Sequence, residues 1–129
     1  MEKHVYAVFT NAVEGRDEEC ANWYVDAHVS DMVERYGFSS GQHFRFDMAQ
    51  YFPDFPFRYL TLYDVPEGEF KRLHADHAKA MTAHVDRLQN DSEGTTTSTM
   101  PLSPALDLEG ARSFWLTALH EPVRRKEAK

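Results

Sequence analysis

The sequence predicts an α+β domain of four strands and two helices, and three observations carry that prediction. Apolar residues recur every second position in four stretches and every third or fourth position in two others. The stretches follow one another as strand, helix, strand, strand, helix, strand. The length, 129 residues, is that of one ordinary domain. Such a chain buries a real core but has no room for a dinucleotide fold beside it.

Taken in order, the segment His4 to Ala12 alternates Val5, Ala7 and Phe9 with Tyr6, Val8 and Thr10. Neither set is strongly polar, which predicts a strand covered on both faces. Asp17-Glu18-Glu19 then places carboxylates where a helix begins, favourable beside its positive end. Cys20, Trp23, Tyr24 and Ala27 form a helical stripe, and Gly37 closes the helix as a C-terminal cap. From Phe38 to Tyr51 the period changes to two, with Phe44, Phe46 and Met48 opposite His43, Arg45 and Asp47. Pro53 and Pro56 break that strand, and Phe57 to Val65 forms the third, with Tyr59, Thr61 and Tyr63 opposite Arg58, Leu60 and Leu62.

Pro66-Glu67 opens the second helix, proline being tolerated in a first turn. Its stripe is Phe70, Leu73, His77, Met81, His84 or Val85, and Leu88. Asp91 to Gly110 lacks a period and is expected to be a functional or interface loop. Ala111 to Pro122 alternates again and is the fourth strand, and the basic tail after it is expected to fray.

This order is the split βαβ pattern of ferredoxin-like domains: a four-stranded antiparallel sheet with two helices on one face. Two helices cover only one face of such a sheet, and the other face is still aromatic and aliphatic. The economical cover is a second copy, giving a homodimer whose sheets face each other, a dimeric α+β barrel.

Composition removes several function classes. A net charge of −7, from 14 Lys+Arg against 21 Asp+Glu, repels phosphate backbones and argues against nucleic acid. No apolar run approaches the ~20 residues that span a bilayer, so no membrane partner is expected. The opening residues lack a signal-peptide hydrophobic region, and the single cysteine, Cys20, suits a reducing compartment. Both point to the cytoplasm. Cys20 reads as a small buried hydrophobe, having no basic sequence neighbour to lower its pKa. There is no glycine-rich phosphate loop, nucleophile elbow or paired cysteine motif, so no cofactor is expected.

Three constellations remain. On a helix Tyr24 and His28 lie four apart and Asp31 three further on, so the three share one side. A carboxylate near an imidazole raises its basicity, as a general acid/base needs, and Tyr24 can donate to a developing oxyanion. The plainer alternative is a packed His28 bonded to Asp31 at the helix end. His74 and His77 are spaced to share a metal, but His84 lies roughly 10 Å beyond at 1.5 Å per residue. Surface histidines are the simpler reading, and no metal is assigned. On the sheet, His43, Arg45 and Arg58 with Tyr6, Tyr59 and Tyr63 can bind a carboxylate or phenol. The competing reading is an ion pair such as Arg45 with Asp47. The aromatic group Tyr51, Phe52, Phe55 and Phe57 and the pair Phe114-Trp115 read as core or dimer contact.

Asn11 to Glu19, the Asn22-Trp23-Tyr24 block, His28 with Asp31, Gly37-Phe38 and Gln42 to Phe46 resemble the EthD-type dimeric α+β barrel proteins, named for ethyl tert-butyl ether degradation. The resemblance runs from about Val5 to Val65, with Ser30 where members often carry proline. It implies a ferredoxin-like protomer that pairs sheet to sheet. The wider superfamily includes cofactor-free polyketide cyclases, muconolactone-type isomerases, small monooxygenases and dehydratases, which share a barrel more than a reaction.

The expectation is therefore a cofactor-independent enzyme performing acid/base proton transfer (isomerase, dehydratase, cyclase or lyase) on a small aromatic or polyketide-like compound. His28, Asp31 and Tyr24 are the expected catalytic residues. Trp23, Tyr6, His43, Arg45, Tyr63 and His77 are expected to line the substrate site. The alternatives are a non-catalytic binding or accessory protein and a cofactor-free or haem-dependent monooxygenase, with His77 or His84 as the axial ligand.

Overall fold

The computed structural model describes residues 3–47, 54–90 and 102–126. The elements are β1 (His4–Thr10), α1 (Asp17–Trp23), a π-helical segment (Tyr24–His28), α2 (Val29–Tyr36), β2 (Ser40–Arg45), β3 (Tyr59–Asp64), α3 (Phe70–Asn90) and β4 (Arg112–Thr117). The four strands form one antiparallel sheet in the order β2-β3-β1-β4. That α+β arrangement, with β1 central, is compatible with the ferredoxin-like pattern.

The first helical stretch is one rod in three pieces. It ends at Gly37, whose φ of 88° is the left-handed cap the sequence called for, with its N–H on the Val33 carbonyl at 3.2 Å. Within the rod the Val29 N–H bonds to the Tyr24 carbonyl, five residues back, the mark of a π turn. The buried positions Cys20, Tyr24, His28 and Met32 recur at strict intervals of four. On an ideal α-helix such a row drifts about 40° per step, because 3.6 residues complete a turn. The wider π turn takes up that drift and keeps all four on the sheet-facing side.

Several boundaries differ from the sequence reading. The second helix begins at Phe70, not at Pro66. Pro66 instead accepts a turn bond from the Glu69 N–H (3.1 Å), and Gly68 at φ 80° has a backbone that no helix interior adopts. β2 begins only at Ser40, because Phe38 has left the strand path to enter the core. β3 starts at Tyr59, and β4 stops at Thr117, after which the chain runs on exposed to Lys126. Met48, Tyr51 and Phe52, positions 91–101, and the side chains of Met81, His84, Val85 and Leu88 lie outside the described residues.

Period-two alternation sorts the sheet into two faces. Tyr6, Val8 and Thr10 of β1, Tyr59, Thr61 and Tyr63 of β3, and Trp115 of β4 lie toward the helices. Two buried clusters form there. One joins Tyr6, Met32, Phe38, Tyr63 and Leu73, and the other joins Ala12, Cys20, Tyr24, Tyr59, Ala105 and Leu106. Gly41 makes the first possible, since a Cβ there would come within 2.7 Å of the Tyr63 ring and 2.9 Å of Val29. The opposite face carries Phe9, Phe46, Phe55, Phe57 and Phe114 as a network of ring contacts, centroids 5.2–6.3 Å apart. Phe114 and Leu116 on it are 51% and 47% exposed, so within one chain this face is uncovered.

Candidate functional site

A cavity of about 120 Å³ lies between sheet and helices, where the two buried clusters fail to merge. Tyr6, Tyr63 and Met32 come to it from the first cluster, Tyr24 and Leu106 from the second. β1 supplies Val8 and Thr10 beside Tyr6, as its alternation requires. The helical rod supplies His28, and α3 supplies His77. Leu102, Leu106 and Leu108 close one wall. They belong to the stretch that showed no period in the sequence, and its described part is thus a wall of the cavity. The segment is fastened by Val13 N–H to the Ala105 carbonyl (2.7 Å) and Asp107 N–H to the Asn11 carbonyl (3.0 Å).

Packing fixes the His28 ring. It stacks on Trp23 (centroids 4.4 Å, 20° between planes) and meets the Tyr24 ring edge-on at 5.2 Å. Burial pulls the imidazole down to about 4 from its ordinary 6.5, and the through-space pull of Asp31 in the other direction is smaller. Asp31 faces out and pairs with Arg35 at 3.9 Å. The Tyr24 phenol, beside the hydroxyls of Thr10 and Thr61, is pushed up to about 12 by burial.

A second imidazole enters from α3. His77 Nε2 lies 2.8 Å from the Tyr6 hydroxyl, and Ser113 sits beside the same phenol. Burial pulls His77 to about 4 as well, so both cavity histidines are neutral at neutral pH. Burial also raises the Tyr6 and Tyr63 phenols. Apart from Arg112, the described lining residues offer neutral donors and acceptors and include no carboxylate. Three of its buried polar atoms, Tyr63 OH, His77 Nδ1 and Thr10 Oγ1, have no well-aligned hydrogen bond within the protein. Leaving such an atom unpaired costs on the order of 1–3 kcal/mol, so each is a place for a water or a guest.

Of the residues singled out in the sequence, the structure gathers Tyr6, Tyr24, His28, Tyr63 and His77 around one cavity. His43 stands one layer outside, stacked on Tyr24 at 4.0 Å and bonded through Nδ1 to the Thr61 hydroxyl at 2.8 Å. Trp23 backs His28 from outside. Arg45 is well exposed and pairs with Asp47 at 2.9 Å, the ion pair considered as its alternative. Arg58 ties the start of α1 to β3 through Asp17 (3.0 Å). His74 points outward beside Trp115, and no group of three His, Cys, Asp or Glu among the described residues could hold a metal. Sequence reasoning missed Val8 and Thr10, although the alternation that exposed Tyr6 also implied them. It had no signal for Leu102, Leu106 and Leu108, whose wall depends on a loop path.

No helix among the described residues is long and apolar enough to cross a membrane. Compared with known proteins, the chain matches no family model, no curated protein and no solved structure.

Proposed function

We propose that the chain is a cofactor-independent enzyme of the EthD-type dimeric α+β barrel class, acting by proton transfer on a small aromatic or polyketide-like compound. The observation that carries this reading is the pairing of a neutral, packing-fixed His28 with the Tyr24 phenol at one apolar cavity. A neutral imidazole has a lone pair ready for a substrate proton. Held in an apolar site, the imidazolium it becomes is poorly stabilised and returns the proton readily, as isomerisation, dehydration and cyclisation all require. Tyr24 donates to the oxygen on which charge develops. Asp31 acts through the field it exerts on His28.

The uncovered aromatic sheet face supports the homodimer, and its location opposite the cavity leaves the site within each protomer. The test is deuterium wash-in from heavy water at carbon acids across a panel of small aromatic ketones and lactones, followed by NMR. Catalysed exchange that falls 10²–10⁴-fold in His28→Ala is the expected result, the usual contribution of a general acid/base. A panel that binds without any catalysed exchange would leave the binding-protein alternative standing in its place.

A further inference from the structure

The cavity carries chemistry that the proton-transfer pair does not use. His77 and Tyr63 both pack against the Tyr6 ring, with centroids 4.7 and 6.2 Å away. The two residues are 6% and 1% exposed and line the cavity, yet His77 Nδ1 and Tyr63 OH have no partner among the described residues. The other nitrogen of His77 is taken by the Tyr6 hydroxyl at 2.8 Å. With Nε2 directed at Tyr6, His77 is left with Nδ1 for a guest.

The two unpartnered groups differ in kind. A phenol supplies an O–H, and in the tautomer whose Nε2–H donates to Tyr6, beside which Ser113 is a second partner, His77 Nδ1 supplies a lone pair. A hydroxyl group answers both, because it accepts and donates at once, whereas a carbonyl or ether oxygen only accepts. Charge is disfavoured: among the described residues the lining has no carboxylate and no lysine, and its one charged group is Arg112. Arg112, at the cavity's edge, places Nη1 on the carbonyls of Glu109 (3.1 Å) and Ala111 (2.8 Å), and it pairs in register with Phe9 of the opposite sheet face. Size sets the third limit. An apolar cavity of about 150 Å³ accommodates benzene, so about 120 Å³ leaves no room for a second ring.

We propose that the guest is an uncharged single-ring phenol or cyclic enol whose hydroxyl is held by His77 and Tyr63. This rests on the reading of the cavity as the substrate site, and it makes His77 and Tyr63 specificity-determining residues. The single-ring limit also narrows the aromatic or polyketide-like class to its smallest members.

Isothermal titration of the whole chain with p-cresol, its methyl ether, 4-hydroxybenzoate and 2-naphthol tests each limit. The expected order puts p-cresol first, with the methyl ether roughly tenfold weaker, about one hydrogen bond's worth. The carboxylate and the two-ring phenol should also bind more weakly than p-cresol. Tyr63→Phe removes an unpartnered hydroxyl, so the variant should fold with an unchanged or higher Tm. In it the gap between p-cresol and its ether should shrink severalfold.

Equal binding of cresol and ether to the unmodified chain, an undiminished gap in Tyr63→Phe, or tighter binding of 4-hydroxybenzoate or 2-naphthol would each overturn the proposal. Its fate is separable from that of the catalytic reading. Preferential cresol binding without deuterium exchange on the carbon-acid panel removes catalysis and keeps the hydroxyl site. Exchange that depends on His28, with cresol and ether bound equally, does the reverse.

Discussion

His28 and Asp31 were paired on sequence spacing because a carboxylate raises the basicity of a nearby imidazole. In the folded chain burial wins that contest and holds the ring at about 4. Activity should therefore show an acid limb near pH 4 in its kcat/KM profile, with a plateau through neutrality. A limb near 6.5 would mean that the ring is solvated during turnover. Gly41 is the second residue whose role can be read at this scale. A methyl group there would collide with the Tyr63 ring, so Gly41→Ala should cost about 1–3 kcal/mol, the range for overpacking, measured by chemical denaturation. The types and faces of Tyr6, Tyr24, Tyr63 and His77 were legible in the sequence because strand and helix periods dictate them. The depth at which His28 is buried was not, since it depends on how helix, sheet and the Leu102–Leu108 stretch close together.

At the scale of the element, the π turn is the feature that assembles the site. Such turns arise when a helix accommodates one residue more than its α pitch allows, and they are frequent at functional sites. Deleting one exposed residue of the turn, Val25 (68% exposed), should let it relax to plain α-helix with the buried row still facing the sheet. The expected outcome is an equal or higher Tm with turnover reduced tenfold or more, because His28 no longer sits over Trp23 in the same pose. This is the usual exchange of stability against function. Intact turnover in the deletion variant would separate the site from the turn. The order and type of the elements were readable beforehand, while the starts of β2 and α3 were not. Phe38 and Pro66 each met a local rule that tertiary packing and the Gly68 turn superseded.

For the whole molecule, the uncovered sheet face and the buried histidines make two predictions. Light scattering should return about twice the chain mass of 14.9 kDa, and Phe114→Glu, a charge set among the rings of that face, should halve it. The second concerns acid. His28, His43 and His77 each titrate near 4 when folded and near 6.5 when unfolded. Between those values the unfolded chain binds protons that the folded chain refuses, so stability is complete above about pH 6.5 and falls as pH drops toward 4. A calorimetric series across that window should show Tm declining, and a flat series would place the three rings in water. The sheet-and-helix layering was visible in the residue pattern because each element's period is local. The cavity wall from Leu102 to Leu108 was not, since it exists only once a loop is laid against distant strands.

The guest's surroundings run from Tyr6 near one end of the chain to Ser113 near the other. Occupancy is therefore a vote for the entire folded state: a molecule held at 100 times its Kd adds about 2.7 kcal/mol to unfolding. A dye-based melting screen of metabolite extracts would in that way find the natural occupant before any reaction is known, and no excised half of the chain would answer it.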